Sequence, residues 1–105
     1  MGVSHFSSIL SVFPVYKKTT SVDVTLTSQE AADACILEIT PGASKSIIFP
    51  APIEGKVIFV SNLASATHAI TIKVGASGTG VQIAATKSAI LRCTGTDFVR
   101  VTADA

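Results

Sequence analysis

The feature that most constrains the fold is the alternation of apolar and polar residues in short runs. Apolar residues occupy every second position over residues 22–26, and the same pattern returns over residues 35–40 and 68–74. Because successive side chains of a β-strand point to opposite faces of a sheet, each run predicts a strand with one buried face. Turn residues separate the runs at intervals of about eight to twelve positions, which is typical of sandwiches and barrels.

Further strands are predicted over residues 46–49, 57–60, 81–83, 89–93 and 98–101. Together the runs predict an all-β domain, a small antiparallel β-sandwich or a jelly-roll-like barrel. The glycine-rich segment 75–80 is interpreted as a tight loop between two of these strands. A phosphate-binding P-loop is the less favoured interpretation, because Thr86 stands where that motif has glycine before Lys87 and a strand follows instead of a helix.

The sequence predicts one short helical turn. Thr27 and Glu30 have the spacing of a capping box, in which a hydroxyl and a carboxylate three residues apart each accept a hydrogen bond from the other residue's backbone amide. The small residues at 31–34 allow one or two turns. Such a helix is too short to be stable without tertiary packing.

The first 21 residues do not share the strand pattern. A chain of 105 residues has the size of a single domain, and we expect an extended N-terminal arm at residues 1–21 followed by the β domain at residues 22–105. The arm contains Phe6, Phe13 and Tyr16 among serines, a proline and two lysines. Three aromatic side chains favour docking on a neighbouring molecule through backbone hydrogen bonds and aromatic anchors. The alternative is a frayed terminus.

The run at residues 57–60 is apolar at every position. A strand of this kind is typically covered on both faces. A domain this small has too little chain to cover both faces of a central strand, so we expect the second face to meet another subunit. With Ile58 and Val60 taken as the outward pair, these two residues are predicted at the subunit interface.

Charge and hydropathy argue against two classes of partner. The net charge is +1, and Lys and Arg are not concentrated beyond the pair Lys17 and Lys18. We therefore expect no binding to nucleic acid or to an anionic membrane surface. The sequence has no uninterrupted run of about eighteen apolar residues, so no membrane span is predicted.

The reactive residues do not form a recognisable catalytic or metal-binding motif. His5 and His68 lie far apart, with no thiol or carboxylate at ligand spacing. Cys35 and Cys93 fall on the inward side of their strands, which predicts buried thiols, and whether they are bonded to each other stays open. The acidic residues occupy turn, cap or outward positions, where carboxylates keep ordinary pKa values. We predict that the protein is not an enzyme and has no cofactor.

A series of motifs runs through the chain in the order VTLT at 24–27, IFPAP at 48–52, ITIK at 70–73, GTGV at 78–81 and CTGTDFV at 93–99. This series resembles small β-rich structural proteins of tailed bacteriophages, both head decoration (cement) proteins and modules of tail fibres. The resemblance covers residues 22–101. One departure is the last hairpin, where such modules often carry Asp-Gly and this chain has Thr94 and Gly95.

The resemblance implies a virion structural protein that is made in the host cytoplasm and binds the outer surface of the phage head. Its partners are then the major capsid protein and other copies of itself, arranged as a homotrimer. Phe6, Phe13 and Tyr16 are the expected capsid contacts, and Ile58 and Val60 the expected subunit contacts. The alternative is a tail-associated or receptor-binding structural module. Hundreds of copies per particle would indicate the head, and a few copies the tail.

Overall fold

The computed structural model describes residues 15–64 and 67–102 of the chain. Nine strands and one helix follow in the order β1 (Val15–Thr20), β2 (Val24–Thr25), α1 (Ser28–Asp33), β3 (Ile36–Pro41), β4 (Lys45–Phe49), β5 (Val57–Asn62), β6 (Ile70–Val74), β7 (Val81–Ile83), β8 (Ser88–Cys93) and β9 (Phe98–Arg100). The prediction of a β-rich domain with one short helical segment is confirmed.

The described strands form two sheets. The first sheet has the order β1-β3-β5-β8-β9, and the second has the order β2-β4-β6-β7. From β1 to β6 the chain crosses to the opposite sheet after every strand, so each strand returns parallel to its predecessor in the same sheet. Only the pairs β5–β8, β6–β7 and β8–β9 are antiparallel among the described strands.

This topology corrects the prediction of an antiparallel sandwich or jelly-roll-like barrel. Both sheets are mixed, and the described strands form separate sheets rather than a closed barrel. The physical reason is that the long connections carry a strand of the other sheet, and a connection of that length allows parallel pairing. Side-chain alternation is the same in parallel and antiparallel strands, so the sequence pattern did not distinguish them. The strands predicted over residues 89–93 and 98–101 correspond to β8 and β9, which form an antiparallel hairpin.

The core lies between the two sheets. Its largest fully buried apolar side chains are Leu26, Leu37, Ile39, Ile47, Phe49, Ile58, Val60, Ile70, Ile72, Ile83 and Leu91. Phe49 of the second sheet meets Phe98 of the first edge to face, with ring centroids 4.8 Å apart and ring planes at 68°. Apolar side chains from both sheets therefore form one continuous core.

Strand β1 changes the predicted domain boundary. Residues 15–20, assigned to the arm from the sequence, pair in parallel with β3 as the edge strand of the first sheet. Lys17 and Lys18 interrupt the apolar pattern there, as lysine often does on exposed edge strands. The remaining part of the predicted arm, residues 1–14, lies outside the described residues.

The helix begins at the predicted capping box. The backbone N–H of Glu30 donates to Thr27 Oγ1 at 3.1 Å, and the backbone N–H of Thr27 donates to Glu30 Oε1 at 2.9 Å. Ala31 is buried, so a core contact supports this short helix. Over residues 15–64 and 67–102, no helix has the length and apolar character needed to cross a bilayer.

Candidate functional site

An exposed row of apolar side chains crosses the outer face of the first sheet. Strand pairing places Val15 beside Ile36, Ile36 beside Phe59, and Phe59 beside Ile90. The row ends at Val101, whose backbone N–H donates to the Ile90 carbonyl at 2.8 Å. We call these five residues the apolar row.

Much of the apolar row is accessible to solvent. Phe59 is 44% exposed although it lies on the central strand, and the terminal residues Val15 and Val101 are 43% and 57% exposed. Ile36 and Ile90 are half-buried. A contiguous apolar patch on a folded protein marks an interaction surface more often than scattered exposed residues do.

The residues on the two sides of the apolar row differ in character. On one side the outer face carries Val57, Arg92 and Val99, which lie opposite one another on three neighbouring strands. Val57 is 51% exposed, so the apolar surface extends beyond the row. On the other side the outer face is polar, as described next.

The polar side is held together by side-chain contacts. Lys17 Nζ lies 3.8 Å from Glu38 Oε1, and the hydroxyls of Ser61 and Ser88 are 3.0 Å apart. All four residues lie on strands that also contribute to the apolar row. The apolar surface therefore has a defined boundary on this side.

The outer face of the second sheet is polar where the first is apolar. Asp23, Ser46, Thr71 and Gln82 lie side by side there. Asp23 Oδ1 accepts a hydrogen bond of 2.9 Å from the backbone N–H of Ser46. These residues line a shallow groove of about 310 Å³. The two outer faces of the sandwich thus differ, and only the first has an apolar surface that gains by being covered.

The prediction that Ile58 and Val60 lie at a subunit interface is wrong. Both side chains have no exposed area and pack in the core, so neither can touch another subunit. The outward pair on β5 is Val57 and Phe59. The strand does have a solvent-facing apolar side, but its parity is opposite to the one predicted.

The predicted capsid contacts are described only in part. Phe6 and Phe13 lie outside the described residues. Tyr16 lies on β1 beside Leu37 and packs partly against the core, so it is a half-buried residue of the sheet and not part of an extended arm. Burial raises the pKa of the Tyr16 hydroxyl, and the nearby Glu30 carboxylate raises it further.

A groove of about 180 Å³ lies beside Tyr16, between β1 and α1. Glu30 and Asp33 contribute its carboxylates, and Asp33 accepts a hydrogen bond of 2.7 Å from Gln29 Nε2. Glu30 is also engaged in the helix cap. These contacts give both carboxylates a structural role in or near the helix.

Among the described residues, the carboxylate that accepts the most hydrogen bonds belongs to Asp97. Its Oδ1 accepts hydrogen bonds from the backbone N–H groups of Val74 and Phe98, at 3.1 and 2.9 Å, and its Oδ2 accepts from Gly80 at 2.8 Å. Burial alone raises the pKa of this carboxyl, but bonds from four backbone N–H groups, those three and Thr79, outweigh it and hold the pKa below its ordinary value. Asp97 thereby ties the turn between β8 and β9 to the loop between β6 and β7.

The residues considered for metal binding or nucleophilic chemistry are not brought together. His5 lies outside the described residues, and His68 is half-buried just before β6. Cys93 is buried as predicted, Cys35 is half-buried, and the two are not joined by a disulfide. Within residues 15–64 and 67–102, no three His, Cys, Asp or Glu side chains are grouped as metal ligands.

The sequence contained one signal for the correct parity of β5. Ser61 lies two residues after Phe59 and shares its face, which favours Val57 and Phe59 as outward, but the polar Asn62 follows on the opposite face and offsets that signal.

Comparisons of the chain with protein-family models, with curated proteins and with solved structures find no match.

Proposed function

We propose that the protein is a structural component of a tailed-phage virion, a decoration protein that binds the outside of the head and stabilises the shell. The proposal joins the motif resemblance described above with the properties of the fold. A decoration protein needs a stiff small domain and a surface that adheres to its neighbours.

The observation that carries the proposal is the exposed apolar row on an otherwise well-packed sandwich. Four strands of six residues and one of three, spaced about 4.8 Å apart, give this outer face a footprint of roughly 430 Å². Covering its apolar part is worth about 25 cal/mol for each Å² removed from water. An adhesive face of this kind favours an assembly role.

Shell stabilisation does not require each copy to bind strongly. Copies that contact one another while also touching the shell dissociate only when several contacts break together, so modest affinities multiply. In this proposal the outer face of the first sheet joins neighbouring copies, and Phe6 and Phe13 contact the major capsid protein.

The copy number of the protein in purified virions tests this function. We expect hundreds of copies per particle, measured by quantitative mass spectrometry against the major capsid protein. A few copies per particle would contradict the head assignment and support the tail-associated alternative. Absence of the protein from purified virions would refute both.

A second experiment tests the predicted shell contacts. Heads lacking the protein are incubated with wild-type protein, with the variant Phe6→Ser, Phe13→Ser, and with the matched control Ser7→Ala, Ser8→Ala. We expect the first variant alone to bind heads poorly. The substitutions avoid β1, which begins at Val15, so the sheet stays intact. Equal occupancy of heads by all three proteins would exclude these aromatic contacts.

The tail-associated or receptor-binding alternative is favoured by one feature, the polar groove on the second sheet. Hydroxyl, amide and carboxylate groups of Ser46, Gln82 and Asp23 line that groove and offer hydrogen bonds to a polar ligand. Copy number separates this alternative from the head role.

A further inference from the structure

The residue types of the apolar row follow the same order in both directions across the sheet. Across the sheet its residues are valine, isoleucine, phenylalanine, isoleucine and valine, with Phe59 on the central strand. A surface that is joined to itself by a two-fold axis brings the residues on one side of that axis against those on the other side, so the two sides must be complementary, and apolar residues of equal size on both sides meet that condition. We infer that the outer face of the first sheet pairs with the same face of a second copy of this chain, about a two-fold axis that runs along β5 through Phe59.

This axis gives every member of the row a partner of the same type. The strands β1 and β3 of one copy lie over β9 and β8 of the other. Val15 then faces Val101 of the second copy, Ile36 faces its Ile90, and the two Phe59 rings meet at the axis. Sheets stacked face to face lie about 10 Å apart with strands within about 30° of alignment, which suits side chains of these sizes.

The charged residues of the outer face are compatible with the pairing. Lys17, Glu38 and Arg92 lie on β1, β3 and β8. The axis along β5 exchanges β3 and β8 but keeps each side of the row over the same side of the second copy. Glu38 therefore lies over Ser88 of the other copy, Arg92 stays on the opposite side of the row, and no like charges are opposed. Like charges in direct opposition would disfavour the contact.

The size of the face sets the strength of the pairing. A footprint of roughly 430 Å² on each copy gives about 860 Å² in total, which is in the range of weak, transient interfaces. Such a pair forms reversibly. Its most effective contact is the central aromatic residue, because buried aromatic residues near the middle of an interface carry most of the binding energy.

The choice of a second copy over a foreign partner rests on the symmetry of the row and on the face of the second sheet. A foreign partner would need no matched residues on either side of β5. The second sheet has Ser46, Thr71 and Gln82 in the comparable position, and these polar side chains give no reason for the face to be covered. The inference rests on the assembly role proposed above, since the same face supports both.

Sedimentation equilibrium over a wide concentration range tests the pairing. We compare the wild-type chain with Phe59→Thr and with Val22→Thr. Threonine suits a strand, so Phe59→Thr keeps the fold, and its melting temperature checks this. Val22 is the matched control, because it is 63% exposed but lies in the turn between β1 and β2.

We expect the wild-type mass to double with concentration, and Val22→Thr to behave in the same way. Phe59→Thr is expected to weaken association at least about 30-fold, the effect of losing a central hot spot. A chain that stays monomeric overturns the inference, as does a dimer that is indifferent to Phe59→Thr. A trimer, the state implied by the resemblance, overturns the two-fold axis. Loss of pairing on deletion of residues 1–14 would assign the contact to that segment instead.

Cysteine pairs test the position of the axis. In a Cys35→Ser background, a mixture of Ile36→Cys and Ile90→Cys chains treated with a short bismaleimide cross-linker is expected to form mainly links between the two different variants. At a sheet spacing of about 10 Å the facing thiols are too far apart for a disulfide, so a cross-linker is needed to bridge them. Preferential linking of Ile36→Cys chains to each other would refute this axis.

The pairing and the proposed function fail separately. Monomeric protein that is present in hundreds of copies per virion would refute only the pairing. A Phe59-dependent dimer that is absent from virions would refute only the virion role.

Discussion

Replacing Asp97 tests whether the two loops at one end of the sandwich are held by a single carboxylate. Asp97 accepts backbone hydrogen bonds from Val74, Phe98 and Gly80 at 2.8–3.1 Å. A net contribution of about 1 kcal/mol for each bond predicts a loss of about 3 kcal/mol in Asp97→Ala. The site is only half-buried, so water replaces part of the lost bonding and about 2 kcal/mol is the expected loss in unfolding free energy.

Urea unfolding at neutral pH measures this loss, with Asp33→Ala as the matched control. Asp33 is an exposed helix residue whose side chain bonds only locally, to Gln29, in the described contacts. We expect Asp97→Ala to unfold at a clearly lower urea concentration with an unchanged slope, and the control to stay close to wild type. Equal midpoints for Asp97→Ala and wild type would show that the carboxylate does not hold the loops.

The same variant has a defined pH signature. The folded-state pKa of Asp97 lies below its ordinary value. The ionised carboxylate therefore stabilises the fold above the unfolded-state pKa of about 3.9, and this contribution is lost as the pH falls through the lower folded-state pKa. The stability difference between wild type and Asp97→Ala should shrink over that acidic range. A difference that stays constant down to pH values well below 3.9 would contradict the assigned role of the charge.

Three further substitutions are expected to lower the unfolding free energy, each measured by its urea midpoint. Asn62→Leu removes the side-chain hydrogen bonds to three backbone groups, two of them in buried contacts and one in a half-buried contact, and should cost about 3 kcal/mol; an unchanged midpoint would mean that water or rearrangement replaces those bonds. Gly80→Ala places a Cβ against the Ile72 carbonyl at a φ of +68° and should cost more than about 1 kcal/mol, whereas a stabilised variant would contradict that geometry. Thr27→Ala removes the helix cap and should cost about 1 kcal/mol, while Thr27→Ser should recover most of it.

The parity of β5 shows where prediction from the sequence reached its limit. Over residues 57–60 every side chain is apolar, so alternation gives no direction. Ser61 and Asn62 follow, and they point to opposite faces. Asn62 is buried because its amide donates to the carbonyls of His68 and Ile83 and its oxygen accepts from the Ala64 N–H. Those partners are distant in sequence or depend on the fold, so a buried polar residue cannot be recognised from the pattern alone.

Other elements were predictable for local reasons. The capping box requires only two residues three positions apart, and the inward positions of Leu37 and Ile39 follow from strict alternation. Strand β1 was not predicted because its pattern is that of an edge: Tyr16 faces inward, and the charged Lys17 and Lys18 are both exposed. An edge strand pairs with one neighbouring strand and needs few apolar side chains, so its sequence is similar to that of an exposed tail.

The topology links completion of the fold to formation of the interaction surface. The two ends of the apolar row come from β1 and from the residue after β9, the first and last parts of the described chain. The middle of the row comes from β3, β5 and β8, which are connected along the chain by segments that contribute strands to the second sheet. Val15 and Val101 therefore take their places at opposite edges only when both edge strands are paired. A chain that has not added either edge strand offers a shorter and unsymmetrical row, so self-pairing through Phe59 favours molecules that are fully folded.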